Sequence, residues 1–278
     1  MSNTSEKLPA KRLKTAYVCC LVPVAAALAA FRLYVISTGK LSVFFAVITA
    51  VFAACCGLYA FFLRKSVGEG LRTGSPVVAF VSASAGLMCA TVLVTSFFLE
   101  HTPDENAFIS ILCMVFAVLS AFYFLLSAAS STFLKRVNIA ALFSMAVPLY
   151  FCLRTLNDFI NVGGMPFAHS SAYHLLSMIV ASLYFVTETR QIMGAERPFW
   201  MLFTGGSAVL LLSVYDIPVL VHFVQGLDVG AYTALQSLFS LTVILYIVIR
   251  IATCPLGAKT EEAAQVGAKK ETGSVSEE

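Results

Sequence analysis

Few residues in this chain have side chains that could do chemistry, and where they stand matters more than how many there are. Asp216 lies in Ser213-Val214-Tyr215-Asp216-Ile217-Pro218, a carboxylate inside a long apolar run. An ionisable group in hydrocarbon is costly and is rarely kept without a partner or a function. Pro218 removes a helical hydrogen bond just beyond the acid. An acid beside a helix break is one way in which transporters build ion and substrate sites. Arg32 and Arg154, toward the ends of two other apolar runs, are the expected counter-charges. Arg154, Asn157, Asp158 and Asn161 follow one another at spacings of three and four, so they share one helical face, and Gly163-Gly164-Met165-Pro166 then ends the helix. Read functionally, Asp216, Arg32, Arg154 and Asp158 form a substrate or ion pocket in the outer half of a bilayer. Read structurally, Arg154 and Asp158 are a local pair at a polar helix end, and Asp216 locks the bundle through an arginine.

A second group stands at the opposite membrane edge, in Tyr184-x-x-x-Glu188-x-Arg190 and Gly194-x-x-Arg197-Pro198. Tyr184 and Glu188 are one helical turn apart on one face, while Arg190 points elsewhere. Glu188 is therefore expected to pair with a basic residue of another inner loop. Pro198 suits the first position of a following helix.

Other chemistries find no support. His101, His169, His174 and His222 all fall on one side, yet the spacing of His169 and His174 is no metal motif. Of eight cysteines, seven lie within apolar runs and none forms C-x-x-C, so they read as small packing residues. H-E-x-x-H, G-x-S-x-G, Walker and C-x-x-C-H patterns are absent, as is any nucleophile with a base. The expectation is a protein without catalytic residues, metal or cofactor. Its basic residues are scattered over loops, which argues against a nucleic-acid partner.

The elements that must position these groups follow from composition. The chain has 278 residues, 59% hydrophobic and 12% charged, with a mean hydropathy of +0.87. Soluble domains are nearer a quarter charged. The apolar runs are continuous rather than alternating, which selects helices over a barrel. Eight spans are predicted, at about 16–36, 42–63, 76–98, 107–133, 137–154, 171–188, 198–223 and 230–251. Residues 1–15 read as a basic cytoplasmic tail, 16–254 as the transmembrane bundle, and 255–278 as a disordered cytoplasmic tail. Of the 18 Lys and Arg residues, only Arg32, Lys40 and Arg154 fall on the outer side of this map. That bias predicts both termini in the cytoplasm.

Two weaker patterns accompany the map. Leu58-Tyr59, Lys65 and Arg72 recur as Leu183-Tyr184, Arg190 and Arg197, which is compatible with a parallel repeat of four spans plus four. Small residues four apart, as at Ala53/Gly57 and Ser82/Gly86, let helices approach closely. The Glu188-x-Arg190…Gly194-x-x-Arg197-Pro198 hairpin resembles that of uncharacterised multi-spanning membrane proteins of Gram-positive anaerobes. The resemblance covers mainly the sixth and seventh spans; it implies a bacterial plasma-membrane setting and no known activity. Two functions remain in view: a small-solute or ion transporter using the outer pocket, and a membrane sensor or accessory subunit that docks a protein partner through its cytoplasmic loops.

Overall fold

The computed structural model describes residues 4–39, 42–63, 75–99, 107–129, 137–161, 169–194, 198–227 and 229–254. Eight α-helices account for nearly all of them, and no strand occurs among the described residues. They are α1 (Thr4–Thr38), α2 (Ser42–Leu63), α3 (Pro76–Leu99), α4 (Ala107–Ala129), α5 (Val137–Asn161), α6 (His169–Ile192), α7 (Pro198–Val224) and α8 (Ala231–Thr253). Seven are long and apolar enough to cross a membrane. The exception is α6, whose 24 residues include His174, Thr187, Glu188, Thr189 and Gln191. It nevertheless runs the length of the bundle, with His174 beside Asp158 near one end and Glu188 beside Arg250 near the other.

Helices α3 to α8 pack in chain order, each on the next, and α8 closes back onto α3. The result is a six-helix ring. The first two helices lie outside it, both against α7. Large apolar side chains cover the exterior, including Phe80, Phe98 and Leu142, each more than 70% exposed. A soluble monomer does not present so much apolar surface. In a bilayer it is simply the lipid face, with the backbone satisfied inside each helix.

Several hydroxyls within the bundle are met locally. Thr49, Ser120, Thr155, Thr189 and Thr204 donate to the carbonyl four residues back. The hydroxyl of Ser182 on α6 instead donates to the carbonyl of Pro148 on α5 at 3.1 Å.

Glycines set the closest approaches. Gly206 of α7 faces the Tyr17 hydroxyl of α1, and a Cβ on Gly205 would stand 2.9 Å from Ile251 and 3.1 Å from Tyr184. Two of the small-residue positions singled out from sequence behave alike: Gly57 meets Phe203, and Gly86 meets Leu125 at 2.9 Å.

The helices differ from expectation in four places. α1 extends back to Thr4 through the basic segment, where Glu6, Lys7, Leu8 and Lys11 are good helix formers. α5 continues to Asn161, past the predicted end near residue 154. α7 passes through Pro218 unbroken. A single proline costs one helical hydrogen bond, and packing on both sides holds the helix together. Finally, the packing of α1 and α2 on α7 has no counterpart between α5 or α6 and α3. The helix contacts among the described residues therefore do not confirm the four-plus-four repeat.

Candidate functional site within the helix ring

The ring interior is filled by side chains that meet across it, between helices that share no extended contact. Near one end, Arg154 of α5 donates from Nε to Asp158, with a 3.1 Å ion pair. Its Nη1 donates to Tyr232 Oη of α8 at 3.1 Å. The Gln236 amide, oriented by this network, accepts from Tyr232 Oη at 2.9 Å and from Arg154. On the other side of Asp158, His174 Nε2 of α6 lies 3.0 Å from Oδ2, and its ring sits against Tyr215 of α7, centroids 4.5 Å apart. Arg154, Asp158 and His174 are each 12–15% exposed. Beside them, a cavity of about 20 Å³ is lined by Ser96, Tyr150, Arg154, Asn157 and Tyr232, room for about one water molecule.

An aromatic layer fills the middle. Phe151 of α5 stacks on Phe239 of α8 at 6.2 Å and on Phe185 of α6 at 5.7 Å. Phe124 of α4 meets Phe185 edge-on at 5.8 Å and Tyr246 of α8 at 5.3 Å. Edge-to-face and offset stacks at these separations are favourable. Together these rings separate the two polar ends of the interior.

Beyond them lies a second polar layer, fully buried. Glu188 Oε1 accepts a 2.6 Å hydrogen bond from Tyr246 Oη and stands 3.2 Å from Arg250 Nε. Tyr246 Oη in turn accepts from Arg250 Nε at 2.9 Å. Tyr123 and Tyr184 complete the wall. Tyr123 stands close enough to Glu188, Tyr246 and Arg250 to interact with them, yet Nη1 and Nη2 of Arg250, Oε2 of Glu188 and the Tyr123 and Tyr184 hydroxyls make no bond of full hydrogen-bond geometry among the described residues. So many unmet donors and acceptors around a buried ion pair are unusual, because buried polar groups are nearly always bonded.

The predicted pocket residues are thus only partly gathered. Arg154 and Asp158 meet, as the face-sharing spacing implied. Arg32 does not face Asp216: its guanidinium lies over Tyr173 at 4.6 Å and Phe45 at 5.4 Å. Asp216 is turned toward α8, where the hydroxyls of Ser237 and Ser240 stand at its carboxyl. The reason is register. Tyr215 faces the Arg154 cluster, so its neighbour is rotated by about 100° toward the next helix.

At the other edge, Glu188 finds its cation on α8 rather than in a loop, and Tyr184 lines the same layer. Arg190 is exposed. Arg197, together with Gly163-Gly164-Met165-Pro166 and His101, lies outside the described residues. Sequence reasoning passed over Arg250, Tyr246, Tyr123, Tyr232 and Gln236. A signal existed for the first two: Tyr246 and Arg250 are four apart on an apolar helix, hence on one face. No group of three or more His, Cys, Asp or Glu gathers to hold a metal ion among the described residues.

Lipid-facing helices around a polar interior define the class, an integral multi-pass membrane helical bundle. No protein-family model, curated protein or solved structure matches the chain.

Proposed function

We propose that this protein carries a small polar solute or ion across a bacterial plasma membrane, through the interior of the α3–α8 ring. One observation supports this above the rest. The polar and ionised groups of the described helices do not merely cap the bundle. They form two layers inside the ring, Arg154–Asp158–His174–Tyr232 and Glu188–Arg250–Tyr246, with the aromatic layer between them. Ionisable residues inside membrane bundles commonly mark solute and proton pathways. A barrier with a polar recess on either side is what an alternating-access carrier needs in an occluded state. The basic-residue bias supports eight crossings with both termini in the cytoplasm. It also puts the Arg154 layer outside and the Glu188 layer inside.

The docking alternative has less behind it. Glu188, its proposed contact, is 1% exposed and already paired.

The test is uptake into proteoliposomes of a labelled panel of amino acids, organic acids and sugars. At least one solute should enter faster than into protein-free vesicles, and Asp158→Asn should cut that flux tenfold or more. Reporter tags at the two termini should both be protected from external protease in whole cells. No flux for any solute, with Asp158→Asn indistinguishable from wild type, would refute the proposal.

A further inference from the structure

We infer that the α7–α8 interface holds a sodium-ion site built from Asp216, Ser237 and Ser240. All three residues are buried, each 1% exposed. The Ser237 and Ser240 hydroxyls stand at the carboxyl, close enough to interact with it, while Asp216 Oδ2 and Ser240 Oγ make no bond of full hydrogen-bond geometry among the described residues. Among the described residues, no salt bridge joins a cation to Asp216. Arg32 lies over Tyr173, Arg154 is held by Asp158 and Tyr232, and Arg250 by Glu188.

A buried carboxylate without a counter-charge is very unfavourable. The serines are three apart on α8, so they present their oxygens from one face. One carboxylate and two hydroxyls are hard oxygen donors, suited to a hard cation. Their single negative charge balances a monovalent ion, whereas a divalent one would leave excess charge in a dry interior. Pro218 adds a further candidate, because it leaves the carbonyl of Val214, four residues back, without its helical N–H.

The binding claim stands by itself; only a role for sodium in driving flux rests on the transport proposal. The experiment is thermal unfolding of the purified protein in sodium, potassium and choline chloride at equal ionic strength, together with binding of radiolabelled sodium. Sodium should raise the melting temperature saturably, by roughly 5 °C at high excess, with potassium and choline giving no such rise. One sodium should bind per chain. Asp216→Asn and Ser240→Ala should fold yet weaken sodium binding at least tenfold. Equal melting of the wild type in all three salts would overturn the site. So would stabilisation by acid that ignores sodium, which would mean that the carboxyl keeps a proton. An unchanged sodium response in both variants would also overturn it. Sodium binding without flux of any solute would remove the transport proposal alone, and flux without sodium binding would remove the sodium site alone.

Discussion

Replacing Glu188 with leucine removes one half of the buried ion pair and leaves Arg250 charged in the bundle interior. The charges are 3.2 Å apart, and both side chains are 1% exposed. At an effective dielectric of about 20, the lost attraction is about 5 kcal/mol. The Tyr246 hydrogen bond to the carboxylate, 2.6 Å long, adds about 1.5–3 kcal/mol as a bond to a charged group. Relaxation of the freed guanidinium returns part of this, so the net loss expected on breaking a buried pair is about 3–5 kcal/mol. For a chain of this size that corresponds to a fall in melting temperature of roughly 10 °C. The double variant Glu188→Leu/Arg250→Met removes both charges and their desolvation cost. It should melt closer to wild type than either single variant does. Thermal unfolding of the four proteins in one detergent completes the cycle. A Glu188→Leu protein that melts within about 1 °C of wild type would refute the buried pair. So would a double variant whose loss equals the sum of the two singles.

Four further outcomes follow from the packing. Gly206→Ala should destabilise by about 1–3 kcal/mol, because its Cβ would collide with the Tyr17 hydroxyl; adding Tyr17→Phe should restore part of the loss, measured by the same melting assay. Lys14→Met should cost about 1–2 kcal/mol, since the Lys14 ammonium donates to the Cys254 carbonyl just beyond α8, where a cation also meets the helix dipole. Burial pushes the Cys254 thiol above its usual pKa, with Lys14 opposing the rise. A raised pKa means that little thiolate is present near neutral pH, so maleimide should label Cys254 slowly at pH 7 and faster as the pH rises toward 9, read by mass spectrometry. Arg32→Leu should leave the Asp216 site untouched, because Arg32 packs on Tyr173 and Phe45; a lost sodium response in that variant would contradict the placement.

What the sequence determined by itself is the solvent. Long apolar runs such as Phe108–Ala129 cannot leave backbone groups unpaired in lipid, so eight helices and their approximate limits were legible from composition and periodicity. The Arg154–Asp158 pair was legible for the same kind of reason: spacing along one helix is a local property. What only the tertiary structure decided is which face meets which neighbour. The ring closes through α8 on α3, and that closure brings Arg250 to Glu188, 62 residues away, and Phe239 to Phe151. In an evenly apolar helix no polar face marks the rotation about the axis. Thus Asp216 faces two serines rather than the arginines that charge alone would have chosen for it. Helix rotation in a membrane is set by close contacts such as Gly205 with Tyr184 and Gly206 with Tyr17, and shape complementarity between distant segments cannot be read along a chain.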